Sequence, residues 1–127
     1  MPFSNGVSYF YDSLYLSLWN DGNEKLFNKM IGWLSNQDCG HFIEDKEREK
    51  YKLSDRNFGD KIYLLNEGFG FSPNYFGYRS LKAYHGYAPS VDSMKGVYCS
   101  SKDHPDKSIH FTTRDVYEEL SAENISN

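Results

Sequence analysis

The sequence predicts an α+β fold: a small, mostly antiparallel sheet with two or three helices packed on it. Three observations carry that expectation. Residues 7–11, VSYFY, alternate, with Val7, Tyr9 and Tyr11 on one side and Ser8 and Phe10 on the other, the period of a strand. Leu26, Phe27, Met30, Ile31 and Leu34 recur at three- and four-residue steps, the apolar stripe of a helix. The order of the runs is strand, helix, strand, charged turn, strand, loop, strand, helix, which suits a sheet with helices on one face. The chain has 127 residues, which suits one compact domain over 1–127 rather than two.

Each element has its own signal. After the strand at 7–11, residues 14–18 read either as a second extended piece or as a turn of helix. Asn20-Asp21-Gly22-Asn23 is a turn cluster able to cap a helix. That helix is expected over 24–36, closed by Asp38-Cys39-Gly40. His41 to Glu44 reads as a short strand. The charge run DKEREKYK, 45–52, reads as an exposed helical turn with i,i+4 pairs, its charges solvated. DKIYLLN, 60–66, is the most strand-like run, and 67–71 continues it through glycines that suggest a bulge or bend. A long loop rich in Gly, Pro and Tyr follows, of a length that marks either a functional loop or an insertion. Residues 95–100 are expected to form a strand. Ile109-His110-Phe111 is a short apolar run, and a helix is expected over 113–120 with Thr113 as N-cap and Asp115 in its first turn.

Composition narrows the function classes. The net charge is −4 with both signs interspersed, so no basic face supports binding to a nucleic acid polymer. No run approaches the roughly 18 apolar residues of a membrane span, and the first residues do not read as a signal peptide. Two scattered cysteines, Cys39 and Cys99, neither require nor exclude a disulfide and leave the compartment open. There is no G-x-S-x-G nucleophile motif, and Gly68-Phe69-Gly70 lacks the rest of a phosphate-binding fingerprint. The histidines are His41, His85, His104 and His110. None forms an H-x-x-x-H pair, so spacing alone predicts no complete metal site.

The segments GDKIYLLNEGFGF (59–71), AYHGYAPSVDSMKGVYCSS (83–101) and IHFTTRDVYEELS (109–121), taken in order, resemble a known family. It is the type I phosphodiesterase and nucleotide pyrophosphatase family of the alkaline phosphatase superfamily, and the resemblance is to its C-terminal part. In that family a strand and an acidic-Gly pair precede a loop with His-Gly-Tyr and usually Asp-Pro. A Met-containing turn into a strand comes next, and then a helix with Val-Tyr. The earlier SNGVSYFY and GHFIEDKEREKYKLSDRNFGD look like the small α/β region that precedes these parts.

The resemblance implies that His85 is a ligand of one of two catalytic zinc ions, with Gly86 allowing a tight backbone turn beside the metal. It departs from the family at Ala88, where an Asp is usual. The family's Ser or Thr nucleophile and its Asp-His-Gly ligands lie upstream and have no counterpart here. The chain is therefore expected to be a fragment of a larger phosphodiesterase, inactive alone. Its partners would be the remaining catalytic core and a phosphoester substrate. Among the loop aromatics Tyr75, Phe76, Tyr78, Tyr84 and Tyr87, the last two are the candidates to line the substrate, against the alternative that they only pack the loop. The other class of function left open is a non-catalytic binding module that keeps the fold.

Overall fold

The computed structural model describes residues 5–74, 77–78, 83–97, 99 and 112–124. The chain divides into two compact units, Met1–Lys95 and Gly96–Asn127. The first holds a four-stranded sheet whose neighbouring strands all pair antiparallel, in the order β1-β2-β4-β3. With its helices this is the expected α+β class.

The strands β1 (Val7–Tyr11) and β2 (Tyr15–Asn20) form a hairpin with Tyr9 opposite Leu18. The turn between them is closed by the Asp12 amide donating to the Tyr15 carbonyl at 3.0 Å. The choice left open at 14–18 thus resolves as a strand, and a central one, paired on both sides. Helix α1 (Glu24–Ser35) begins where the turn cluster places it: Asn23 Oδ1 accepts the Leu26 amide at 3.1 Å. Strand β3 (Gly40–Phe42) and strand β4 (Lys61–Leu65) pair with Phe42 opposite Tyr63. Gly40 is obligatory in this pairing. A Cβ there would lie 2.5 Å from both the Leu64 carbonyl oxygen and the Tyr63 ring.

One face of the sheet carries Val7, Leu18, Tyr63 and Leu65, and α1 lays Phe27 and Leu34 against them, with Met30 and Ile31 at the margin. Each such side chain taken from water contributes roughly 1.5–3 kcal/mol. The opposite face carries Ile62 and Leu64, which cluster with Ile43, Leu53 and Ala88. The connection from β3 to β4 covers part of this second face. Ser17 Oγ donates to the Phe58 carbonyl at 2.7 Å, and the Trp19 indole donates to the Arg56 carbonyl at 2.7 Å.

That connection corrects one expectation. The charge run does form a helix, α2 (Asp45–Lys50), but not all of its charges are solvated. Arg48 is buried, with 8% of its surface exposed. Its guanidinium donates to three backbone carbonyls: Leu53 at 3.0 Å, Gly59 at 2.7 Å and Asp60 at 2.8 Å. The connection curls around this one cation, whose fork of donors suits several acceptors at once.

Other departures follow the hydrogen bonds. β4 ends at Leu65 rather than running on through 67–71. The Phe69 amide turns back to the Asn66 carbonyl, and the Phe71 amide donates to the Ser13 carbonyl at 2.8 Å. No strand forms among the described residues of 95–100. A 3₁₀ turn at Asp92–Met94 precedes them, and Val97 is almost wholly exposed. Residues 109–111 lie outside the described residues. In the second unit, α3 (Thr113–Asn124) is capped one residue earlier than expected. Asp115 Oδ2 accepts the Thr112 amide at 2.7 Å, and Thr112 Oγ1 accepts the Asp115 amide at 3.2 Å, a reciprocal capping box. No described helix is long and apolar enough to cross a membrane.

Tyr63 makes the core pH-sensitive at the alkaline end. Only 1% of its surface is exposed. Burial, helped by the Cys39 thiol at 3.9 Å and the charge of Asp38, pushes its phenol up from 10.0 to about 12. Below pH 10 the group is neutral in both states and its burial costs nothing extra. Between 10 and about 12 the unfolded chain alone loses the proton, so stability falls as pH rises. The expected slope from this group approaches 1.4 kcal/mol per pH unit. Urea titrations of wild type and Tyr63→Phe across that interval check it. The wild-type curve should fall more steeply, and parallel curves would contradict the assignment.

Candidate functional site

Of the stretch singled out by the sequence, 83–101, residues 83–95 belong to the first unit and the rest to the second. The loop is anchored from below by apolar contact. Ala88 packs on the Ile43–Ile62–Leu64 cluster, and Gly86 sits above the buried Leu14, whose methyl would be 3.7 Å from a Cβ at that position. Two tyrosines tie it to the turn after β4. The Tyr87 hydroxyl donates to the Phe69 carbonyl at 2.9 Å. The Tyr84 ring packs against Gly70, so close that a Cβ on Gly70 would meet it inside van der Waals contact distance. The outgoing limb is wound by consecutive turns. The Val91 amide donates to the Ala88 carbonyl and the Met94 amide to the Val91 carbonyl, both at 2.9 Å.

Gly86 has φ +101°, a conformation that favours glycine and turns the chain sharply just after His85. Its amide donates to the Met94 thioether at 3.2 Å. His85 itself is exposed at the tip. The loop therefore fixes the residues on either side of the histidine and leaves the imidazole facing outward.

Of the predicted site residues, Tyr84 is half-buried and Tyr87 buried, both beside His85 in the chain. The Tyr87 hydroxyl is committed to the backbone. Tyr78 is fully exposed, while Tyr75 and Phe76 lie outside the described residues. His104 and His110 also lie outside them. His41 stands on the edge strand β3, where its Nδ1 is 3.1 Å from Asn66 Oδ1. Sequence reasoning gave Phe69 no role, and noted Met94 only as part of a Met-containing turn, not as a partner of the Gly86 amide. The one serves through its carbonyl and the other through sulfur, at positions that only the folded loop brings near.

A zinc ion takes three or four protein donors. Among the described residues, no three His, Cys, Asp or Glu side chains converge. What this loop offers a metal is one accessible imidazole on a constrained backbone. It fits one position of a shared ligand set. Both cysteines are free thiols. Two surface hollows lie elsewhere, around Asp45, Glu49 and Arg56 and around Glu44 and Lys61. They are open to solvent and carry both signs of charge. No family model, curated protein or solved structure matches this chain.

Proposed function

We propose that this chain is the C-terminal part of a zinc-dependent phosphodiesterase or nucleotide pyrophosphatase of the type I family, in which His85 is one metal ligand. The observation that supports the reading is the presentation of His85. Its neighbours are pinned by a positive-φ glycine, a thioether contact and the Tyr87–Phe69 hydrogen bond, and its imidazole is left accessible. The resemblance of 59–71, 83–101 and 109–121 to the family in order and content supports it independently. A zinc pair, when bound, polarises a phosphoester and stabilises the departing oxygen. This chain's residues bind and orient. His85 would supply one imidazole nitrogen to the metal. Gly86 keeps the approach free of a side chain. Tyr84 offers a ring face beside the histidine for the organic part of a phosphoester substrate, and Tyr87 holds the loop beneath it. The nucleophile and the other ligands belong to the remaining catalytic core.

Calorimetric titration of zinc into this chain and into His85→Ala tests the reading, beside a turnover assay with bis-p-nitrophenyl phosphate. The expected result is weak zinc binding by the wild type, diminished in the variant, and no hydrolysis by either. Tight stoichiometric binding, or turnover by the chain alone, would overturn the shared-ligand reading. Identical titrations would remove His85 from the metal site.

A further inference from the structure

The thioether of Met94 faces the backbone of the candidate ligand loop. Its sulfur is 3.2 Å from the Gly86 nitrogen, within reach of a hydrogen bond that a hydrocarbon side chain of the same volume cannot accept. Met94 is itself held. It closes the 3₁₀ turn Asp92–Met94, its amide bonded to the Val91 carbonyl and the Val91 amide to the Ala88 carbonyl. Ala88 in turn packs on the buried second face of the sheet. An unbroken line of contacts thus runs from the core through two turns to the sulfur and across to the amide next to His85. On the other side, Tyr87 fixes the same loop through Phe69.

We propose that Met94 is a positioning residue for His85: its thioether holds the Gly86 amide and so fixes the direction in which the imidazole is presented to a metal. The inference rests on His85 being a ligand, as proposed above. Its physical content is separate. A backbone amide at a positive-φ residue has no regular ladder partner here, and the sulfur supplies one. Without it, that amide turns to solvent and the peptide between His85 and Gly86 loses one of the contacts that orient it, so more ordering falls to the binding step. Loss of a residue that orients a metal ligand typically lowers metal affinity by on the order of tenfold.

The test compares Met94→Leu, which keeps bulk and loses the acceptor, with wild type and with selenomethionine-substituted protein, which keeps an acceptor. Proton–nitrogen spectra follow the Gly86 amide, and zinc titrations follow the His85 ring signals. In Met94→Leu the Gly86 amide is expected to shift and exchange faster, and the zinc concentration needed to move the His85 ring should rise about tenfold. Selenomethionine should behave as wild type. A Gly86 amide unchanged in Met94→Leu overturns the contact. A changed amide with an unchanged zinc titration overturns the positioning role. Zinc that leaves the wild-type His85 ring unmoved overturns the metal reading itself, and the Gly86 amide then still reports on the contact alone.

Discussion

Arg48→Ala is expected to destabilise the first unit by about 2–4 kcal/mol, because a buried cation that serves three backbone carbonyls is removed and hydrogen bonds to a charged group contribute roughly 1.5–3 kcal/mol each. The loss has two parts. The carbonyls of Leu53, Gly59 and Asp60 lose their shared donor. A buried acceptor left without a partner costs roughly 1–3 kcal/mol. The connection from α2 to β4 also loses the group it wraps. Ser17 and Trp19 bond to that connection at Phe58 and Arg56, so the damage reaches the second face of the sheet. Arg48→Lys should recover little, since an ammonium cannot match the fork that serves three carbonyls from one plane. Urea denaturation measures both. A cost below about 1 kcal/mol for Arg48→Ala would match an exposed charge and contradict this role.

Leu18→Ala should cost as much or more, about 3–5 kcal/mol, for a different reason. Leu18 is fully buried on the central strand β2, opposite Tyr9 on one side and Lys61 on the other. It packs in the cluster with Phe27, Leu34, Tyr63 and Leu65, so truncation opens a cavity between α1 and the sheet. A strand paired on both sides has little freedom to close it. Leu18→Met, which nearly conserves volume, should cost less than about 1.5 kcal/mol. Equal losses for the two variants in urea unfolding would show that cavity formation is not the cause.

Much of the fold was legible because its signals are local. The α1 stripe of Leu26, Phe27, Met30, Ile31 and Leu34 is the face that packs on the sheet, while Trp33, off the stripe, is exposed. The alternation of VSYFY gave β1 and its facing. The strand β2 was ambiguous because it is covered on both sides. Leu16 and Leu18 face α1, and the buried Ser17 faces the β3–β4 connection, so no polar face marks the alternation. Arg48 was misread as solvated because its partners lie 5, 11 and 12 residues along the chain and are backbone atoms, which leave no trace in residue type. Residues 95–100 show the reverse error. Val97 is apolar, but an apolar run needs a neighbouring strand, and among the described residues it has none. At α3 the cap chemistry was read one position late, since Thr112 and Thr113 offer the same hydroxyl and only the bond to Asp115 separates them.

The site was legible in a different way. The His-Gly-Tyr set at 85–87 pointed to a loop histidine through resemblance, and the positive φ of Gly86 agrees with the tight turn expected there. The supports were not legible. The Tyr87–Phe69 bond and the Met94–Gly86 contact depend on where the turn after β4 returns, which no periodicity encodes.

The most direct test of the central claim, that His85 is presented for a metal whose other ligands come from elsewhere, supplies those ligands artificially. Copper(II) iminodiacetate leaves coordination positions open for an imidazole and broadens the signals of any ring it binds. Titrated into this chain, it should broaden the His85 ring before that of His41, whose Nδ1 lies 3.1 Å from Asn66 Oδ1, because a ligand on a constrained loop with no competing partner among the described residues gives up less on binding. Equal broadening of these two rings, or broadening that spares His85, would contradict the account.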